Sequence, residues 1–570
     1  MNPPTSLVKK LSITEWLVVL VAVIGFAFDT YELLMFPLIG GPAVAELLQV
    51  PVNNPLVTEW LGKMLWISAL CGGTFGLLGG WLTDRFGRKT VLIGSIAVYS
   101  LSPVMAGLST SIGEFVFYRS ATFVGVCVEF VAAITWLAEL FPDKKQKEQV
   151  LGWTQAFASV GGLMVTGVNA WILTHLDSLP ALPIAEPFSA HASWRYTLMT
   201  GLIPAIPIAL LLPFVPESQA WLERRKSGNF RRPSFGELFS PALRRTTLVT
   251  AGLSACAYAA AFGALQLTPT RVVPGLADLK EQRAVLGPLQ AEAKQLNLQL
   301  SQTNLPAFTK ATGEIQGLRE LAGQRIKTRQ GITAARKQLD DPKTAEERKA
   351  PILAQIGTLT NRLAELDQKL TQLTTDKPED KKAVLDREKT LAMLAANRAK
   401  QEPADTILKT RGNRVQLWQE MGGLLGRIAL ALLLITAIRR GMLLRVFLVP
   451  GLFLFALTYT QLFKNQPELF HWGIALCGFV TVAQFSYMGE YLPKVFPVHL
   501  RGTGGSFATN VGGRMIGTSA ALVTTQIAGH LPGANTFEQV ALAAAIVGTT
   551  VFVIALGLSF QLPQPTTNVE

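Results

Sequence analysis

Charged residues are scarce in this chain of 570 residues, where they make up 16% of the sequence. An ordinary soluble domain carries about 25%. Apolar residues reach 49%, and the mean hydropathy is +0.32. The low charge excludes a typical soluble enzyme, and the high apolar content excludes a disordered chain.

Cysteine is scarce, and the signatures of common catalytic sites are missing. The four cysteines, Cys71, Cys127, Cys256 and Cys477, stand alone in apolar runs, which excludes a disulfide framework and CxxC metal or redox sites. The segment GRKT at 87–90 lacks the glycine spacing of a phosphate-binding loop, and neither HExxH nor GxSxG occurs. We therefore expect neither an ATP-driven pump nor an enzyme, no metal, and no cofactor other than a proton gradient.

Long apolar runs fill most of the chain instead. A bilayer core about 30 Å thick needs roughly 20 apolar residues per helix. Twelve runs meet this length, and they lie near 16–39, 61–82, 90–109, 113–137, 150–174, 194–214, 246–267, 421–437, 442–463, 469–489, 503–528 and 539–560. The sequence predicts an all-α membrane protein with twelve transmembrane helices.

Lysine and arginine are concentrated in alternate connections between these spans. Basic residues cluster in the tail at 9–10 and in the connections at 85–89, 144–147, 224–245, 439–445 and 494–501. Because cytoplasmic loops carry the excess of basic residues, both termini are predicted to be cytoplasmic in the inner or plasma membrane. The net charge of +13 then reflects this topology and a charged central segment, so no nucleic-acid partner is needed to explain it.

The chain also repeats itself. Four positions recur 351 residues later: Glu139, Pro142, Gly161 and Gly162 return as Glu490, Pro493, Gly512 and Gly513. After subtraction of the charged segment at 272–417, this offset is close to the length of one half of the chain. The repeat predicts two parallel six-helix halves with a site between them at the membrane midplane.

A motif after the second predicted span resembles the signature of a known protein family. It reads GWLTDRFGRK at 80–89, which resembles the signature loop of the major facilitator superfamily, G-x-x-x-D-R-x-G-R-[KR]. The resemblance implies a cytoplasmic latch in which Gly80 lets helices approach, Asp84 caps a helix or pairs across the halves, and basic residues anchor the inner face. The latch residues are Gly80, Asp84, Arg85, Gly87, Arg88 and Lys89. The matching loop of the second half, at 438–442, lacks the Asp-Arg pair, which indicates an asymmetric latch.

Two further motifs narrow the resemblance. PESQAWL at 216–222 is similar to the PES-x-x-WL element of sugar porters and metabolite–proton symporters, and AELFP at 138–142 ends a fourth span that resembles theirs. The family fold implies a first half at 1–214, a cytoplasmic connection at 215–245, a seventh helix at 246–271, an insert at 272–417 and helices eight to twelve at 418–570.

Ionisable residues within the spans are the candidates for proton coupling. They are Asp29, Glu32, Arg119 and Glu129, and in the family the first and fourth helices line the central path. A charge inside a membrane usually faces a cavity and has a partner. We expect Asp29 to carry the proton, with Glu129 or Glu32 as a second site. The alternatives are a fixed Asp29–Arg119 ion pair, a solvated rim position for Glu32, and a packing or substrate-binding role for Glu129.

Polar side chains at helical depth are the candidates for substrate binding. They are Gln155, Asn169, Gln266, Gln484, Asn510 and Arg514, the last of which suits a carboxylate. Each can instead form a hydrogen bond or pair between helices. Metal ligands are not expected among them.

The segment 272–417 is different in kind, since it contains 25 Lys and Arg and 18 Asp and Glu. Leucine and isoleucine recur at alternating steps of four and three from Ile352 to Leu373, which predicts a coiled-coil seam. We expect helices near 276–303, 310–340, 352–374 and 379–400 on the extracytoplasmic side. Three roles stay open: a self-contained bundle, a docking arm for a partner protein or a second copy, and a lid over the outer gate.

The combined reading is a membrane transporter that moves a small polar metabolite, a sugar or an organic acid, in symport with protons. A uniporter or exporter is the alternative within transport. A receptor or scaffold that binds partners through the coiled-coil insert is the alternative outside it.

Overall fold

The computed structural model describes residues 13–141, 144–184, 188–203, 205–227, 235–340, 346–434, 440–497 and 500–563, and the part it describes contains no strand. The α-helices in chain order are α1 (Ile13–Leu47), α2 (Pro55–Phe86), α3 (Arg88–Leu108), α4 (Ile112–Leu140), α5 (Lys144–His175), α6 (Ser193–Met199), α7 (Ala205–Leu211), α8 (Gln219–Ser227), α9 (Arg244–Gly263), α10 (Lys280–Gln299), α11 (Leu305–Glu314), α12 (Leu318–Asp340), α13 (Glu346–Leu373), α14 (Pro378–Leu434), α15 (Arg440–Leu457), α16 (Phe463–Asn465), α17 (Phe470–Val495), α18 (Arg501–Ser506), α19 (Ala520–Ala528) and α20 (Thr536–Ser559).

Eleven helical stretches within these described ranges are long and apolar enough to cross a membrane. The count falls short of the predicted twelve because the span predicted at 503–528 is not one regular helix. It runs through α18, a π-helical segment at Phe507–Gly517, and α19. Large apolar side chains such as Phe117 and Phe453 are about two-thirds exposed, as expected for surfaces that face lipid.

Local sequence signals start several of the spans. Asn54 precedes Pro55 at the start of α2, and its side chain accepts a hydrogen bond from the Leu56 N–H at 2.9 Å. Ser111 caps α4 by accepting from the Glu114 N–H, and Glu114 accepts in return from the Thr110 N–H. Such caps satisfy the N–H groups that a helix leaves unpaired at its first turn.

The repeated glycines make equivalent contacts in the two halves. A Cβ added at Gly161 of α5 would lie 1.7 Å from the carbonyl oxygen of Ala27 on α1. A Cβ added at Gly512 would lie 2.3 Å from the carbonyl oxygen of Ala251 on α9. Only glycine permits such close approach of two backbones, so the fifth span packs on the first as the eleventh packs on the seventh.

The apolar core of the membrane part draws on both halves. One cluster of buried side chains includes Met35 and Leu61 of the first half together with Leu253 and Phe552 of the second. A second cluster, which includes Val18, lies within the first half. Contacts between the halves therefore form part of the core rather than a separate surface.

The charged insert contains a compact unit of its own, Ala284–Ala404. This unit is shorter than the predicted segment 272–417, because Val272, Val273 and Val415 belong to the apolar core of the membrane part. Inside the unit, α12 packs on α13, and Leu366 and Leu370 of the predicted seam are buried with Leu318 and Leu321. Leu373, at the end of that seam, is 44% exposed.

Buried charge also holds the insert together. The Arg325 guanidinium is inaccessible to solvent and donates to Glu388 Oε1 at 2.7 Å and Oε2 at 3.1 Å. It also donates to Asp367, and Arg329 pairs with the same Glu388 at 3.3 Å. Burial lowers the pKa of Arg325, but these hydrogen bonds outweigh burial and raise that pKa above its usual range.

Candidate functional site

Two carboxyl groups meet in the middle of the first half. Asp29 lies on α1 and Glu129 on α4, they are 5% and 0% exposed, and their side chains are within hydrogen-bonding reach of each other. Gly25, one turn before Asp29, makes room, since a Cβ there would lie 2.4 Å from Glu129 Oε1. Within the described residues no donor reaches any of the four carboxylate oxygens. Two ionised carboxylates are both acceptors, so this contact becomes a hydrogen bond only when one of them holds a proton.

The cation nearest this pair comes from the other half. Arg514 lies in the π-helical segment and is an electrostatic neighbour of both Asp29 and Glu129. Its Nη1 donates to Asn510 Oδ1 at 2.9 Å and to the Cys127 carbonyl at 3.3 Å, so it also touches α4. Glycines on both sides of Arg514 let this segment approach its neighbours. The predicted substrate residues Asn510 and Arg514 thus lie beside the predicted proton residues.

The alternative of a fixed Asp29–Arg119 ion pair is wrong. Arg119 instead faces Glu32, with 3.9 Å between Nη1 and Oε2, and donates through Nη2 to the Glu32 carbonyl at 3.4 Å. Glu32 is fully buried, so it is not a solvated rim charge. Asp29 and Glu32 are three residues apart on α1, yet they belong to different clusters. Asp29 lies in the first cluster with Glu129, and Glu32 lies in the second cluster with Arg119.

A small cavity lies beside the second cluster, between the two halves. Its volume is about 20 Å³, which is room for about one water molecule. Its lining includes the polar groups of Ser68, Arg119 and Gln266, and the rings of Phe36, Phe123 and Phe262. Gln266 Oε1 and Arg119 Nη1 are buried without a hydrogen-bond partner in the described structure.

Two other predicted substrate residues, Asn169 and Gln484, do not join either cluster. Asn169 donates to Asn413 at 3.0 Å and accepts from Thr197 at 2.9 Å, which is the interhelical alternative. Gln484 donates to the Val480 carbonyl of its own helix at 3.2 Å. The side chain of Gln155 lies outside the described residues.

Buried hydrogen bonds also join the two halves directly. Arg271, on the segment after α9, is fully buried and donates to the Val52 carbonyl and to Thr58 Oγ1 of the first half. Asn413 donates to the Thr166 carbonyl at 3.0 Å. These bonds hold the two halves together at the end where α1 joins α2.

The family motifs come together at the opposite end of the first half. Arg88 is buried and donates to both oxygens of Glu139, at 2.7 and 3.0 Å, while Ser218 Oγ donates to Glu139 at 2.5 Å. The backbone N–H groups of Arg88 and Lys89 donate to Glu217 at 3.0 and 3.1 Å. The signature loop, the end of α4 and the PES element therefore form one hydrogen-bonded cluster, the inner cluster.

Glycine has its strongest role in this loop at Gly87, and the expectation for Gly80 is wrong. Gly87 has φ of +99°, and a Cβ there would lie 2.4 Å from Glu217 Oε2. A Cβ at Gly80 would meet nothing within 4 Å, so no neighbouring helix approaches it closely. Arg85 is exposed and lies over the ring of Trp81, and the side chain of Asp84 lies outside the described residues.

Sequence reasoning missed a further buried carboxylate, Glu420 on α14. Glu420 fell between the predicted end of the insert, 417, and the predicted start of the eighth span, 421, and its partner Gln416 fell inside the predicted insert. Both side chains are buried, at 7% and 0% exposure. The apolar run alone set that boundary, and the helical spacing of Gln416, Glu420 and Arg427 on one face was the signal that could have extended it.

Comparison with known proteins agrees with this architecture. Residues 16–290 match the family model of the Major Facilitator Superfamily. The cis,cis-muconate transport protein of Acinetobacter baylyi is 30% identical over 150 residues, 26% of this chain and 32% of that protein. The arabinose-proton symporter of Bacillus subtilis is 25% identical over 163 residues, 28% of this chain and 33% of that protein. The chain thus spans about a third of the length of these relatives.

The fold is matched over a much greater length than the sequence. A crystal structure of a D-xylose-proton symporter superposes with a TM-score of 0.53 and 15% identity, covering 98% of this chain and all of that one. The chain therefore has the major facilitator fold. The signature loop and the family model that matches residues 16–290 agree with this fold.

Proposed function

We propose that this chain is a secondary active transporter that moves a small polar metabolite by alternating access, in symport with protons. Its site would lie between two six-helix halves of an inner or plasma membrane protein whose termini are cytoplasmic. The names of two similar proteins, an arabinose-proton symporter and a D-xylose-proton symporter, support coupling to protons.

The observation that carries the proposal is the contact between Asp29 and Glu129. The pair is buried and lacks donors among the described residues, so a bound proton is the simplest way to stabilise it. Arg514 comes from the other half, and its approach favours the ionised form. Movement of one half against the other would change the distance from Arg514 to the pair and so couple proton release to reorientation.

The cavity beside Arg119 favours an organic anion as the cargo. Arg119 Nη1 is a buried donor with no hydrogen-bond partner, and Phe36, Phe123 and Phe262 supply apolar faces beside it. This combination suits a flat, unsaturated carboxylate, because a guanidinium binds carboxylates and aromatic rings pack on planar groups. The name of the muconate transport protein supports this class. A sugar is the second candidate, supported by the PES element and by the two sugar symporters.

The decisive variant is Asp29→Asn. We expect proton-driven accumulation in proteoliposomes to fall at least about 100-fold, because a neutral amide cannot bind and release a proton as a carboxylate does. Counterflow of labelled substrate should persist. The measurement uses radiolabelled cis,cis-muconate, benzoate, arabinose and xylose, each with and without a pH gradient. Glu59→Gln, at an exposed carboxylate on α2, is the matched control and should behave as wild type.

Three outcomes contradict parts of this proposal. Accumulation by Asp29→Asn at the wild-type level removes Asp29 from coupling. Exchange in the wild type that ignores the pH gradient indicates a uniporter. Binding of substrate without any exchange indicates a receptor or scaffold, the role in which the insert would bind partners.

A further inference from the structure

The second half contains a buried polar cluster that transport by Asp29 and Glu129 does not use. Glu420 Oε1 accepts from Gln416 Nε2 at 2.9 Å and from Gln419 Nε2 at 3.1 Å. Its other oxygen faces α5, where a Cβ added at Gly162 would lie 2.3 Å away. The repeated glycine pair of α5 therefore leaves space for this carboxylate.

The two glutamines are oriented by the carboxylate and remain incomplete. Each turns its amide nitrogen to Glu420, which leaves Gln416 Oε1 and Gln419 Oε1 buried without partners in the described structure. An unsatisfied buried acceptor destabilises the folded state. A cluster that only joined helices would be expected to satisfy these oxygens, whereas one that binds a hydrogen donor, such as a protonated carboxyl or a water, leaves them available.

A chain of charged and hydroxyl groups connects Glu420 to the first site. Arg427, two turns further along α14, is the cation that faces Glu420. Tyr258 of α9 is an electrostatic neighbour of both Arg427 and Arg514. Arg514 in turn faces Asp29, so carboxylates of both halves are linked through two arginines and one tyrosine.

We propose that Glu420 is a second proton-binding group of the transport cycle, placed in the second half and linked to the Asp29–Glu129 pair through Arg427, Tyr258 and Arg514. The inference rests on the proposed function for the cycle itself. A proton from one compartment converts the Glu420 carboxylate to a carboxyl group, and the same proton leaves to the other compartment after reorientation. No oxidant, metal or other reactant takes part.

The surroundings of Glu420 restrict what sets its protonation. Arg427 is the charged group that faces it from α14, and Tyr258 of α9 reaches it through Arg427. The α5 contact is Gly162, and α17 packs on α14 through Ala475 and Phe479, none of which titrates. Motion of α9 or of the π-helical segment would therefore act on Glu420 through Arg427.

The first test needs no substrate. Infrared difference spectra between acidic and alkaline pH, recorded on the full chain in lipid nanodiscs, report buried carboxyl groups by their C=O stretch. We expect Glu420→Gln to lose one such band that Asp29→Asn retains. Glu468→Gln, an exposed carboxylate of the second half, is the matched control and should keep every band. A Glu420→Gln spectrum identical to wild type overturns the proposal.

The second test measures coupling. Net flux of the transported probe stops at one particular concentration gradient of that probe. When the pH gradient and the voltage are known, this concentration gradient gives the number of protons carried per substrate. We expect two for the wild type and one for Glu420→Gln. An unchanged ratio overturns the proposal, and so does a raised KM at an unchanged ratio, which would make Glu420 a substrate ligand. A wild type without any coupling contradicts the proposed function instead.

A variant that keeps the Glu420 carboxylate tests the proposal even if Glu420→Gln fails to fold. Gln419→Met removes one N–H donor that stabilises the ionised form, so we expect the pH profile of uptake to move to higher pH at a ratio of two. A profile that stays in place, in a protein that inserts normally, also overturns the proposal.

Discussion

The insert and the membrane part both bury arginines and carboxylates, but the two regions complete their hydrogen bonds to different degrees. In the insert, Arg325 donates to both oxygens of Glu388 and to Asp367. In the membrane part, Asp29 and Glu129 face each other without a donor within the described residues. Arg325 and Glu388 are as deeply buried as Asp29 and Glu129, so burial alone does not mark a functional charge.

The difference lies in what a proton would do. A proton added to Glu388 would weaken bonds that hold the bundle together, and the raised pKa of Arg325 shows how strongly its carboxylates stabilise its charge. A proton added to Asp29 or Glu129 would create a hydrogen bond where there is none. Completed ion pairs are therefore expected to be structural, and incomplete ones to bind and release ligands.

Among variants that break a fully hydrogen-bonded ion pair, Arg325→Met is expected to have the largest effect. Loss of one partner of a buried ion pair costs about 3–5 kcal/mol, because the remaining charge stays buried. We expect amide hydrogen exchange in residues 284–404 of the full chain to accelerate about 10²- to 10³-fold, as read by mass spectrometry.

The control for Arg325→Met lies in the same bundle. Arg362 forms an exposed pair with Glu365 at 2.9 Å, so Arg362→Met should leave exchange nearly unchanged. Equal effects of the two variants would mean that the buried network contributes no more than a surface pair.

A second prediction concerns the inner cluster of the membrane part, whose carboxylates, like those that pair with Arg325 in the insert, have hydrogen-bond donors. Gly87→Ala forces a side chain into a conformation reserved for glycine and against Glu217. We expect a loss of about 1–3 kcal/mol in stability, measured by thermal unfolding in detergent. Gly80→Ala, in open space on α2, should not destabilise the protein, and a neutral Gly87→Ala would contradict the structural role of the cluster.

The smallest effect is expected at an exposed pair of the insert, Glu314 and Lys377, 2.5 Å apart. The hydrogen bond and charge of Lys377 lower the pKa of Glu314. Its contribution to stability is therefore present above the ordinary glutamate pKa and is lost as pH falls through the lowered value. Glu314→Gln should show a small loss of bundle stability near neutral pH and none in strong acid. A difference that grows in acid would reverse this sign.

The fold was predictable because apolar run length and glycine spacing express physical requirements of a membrane. Gly161 and Gly512 were found as a repeat in the sequence, and each makes a backbone contact that no other residue allows. The interruption of the eleventh span was not predictable from hydropathy, since an apolar run has the same composition whether its hydrogen bonds follow an α or a π pattern.

The sequence singled out ionisable residues at membrane depth but did not indicate how they pair. Asp29, Glu129 and Arg514 stood out as ionisable groups at membrane depth, which is a property of one position. Which arginine faces which carboxylate depends on how helices from two halves rotate toward each other. The sequence therefore left open the alternative that pairs Arg119 with Asp29, although Arg119 faces Glu32. Glu420 was missed because it stands at the edge of an apolar run.

Placing proton-binding carboxylates in both halves has an electrical consequence. A carrier that takes up one proton with a monovalent anion moves no net charge and ignores the membrane voltage. If Glu420 is a second proton site, as we propose, each cycle with a monovalent anion would carry one positive charge inward. A voltage of 100 mV then adds about 2.3 kcal/mol per substrate, which is enough for roughly a 50-fold concentration ratio without any pH difference.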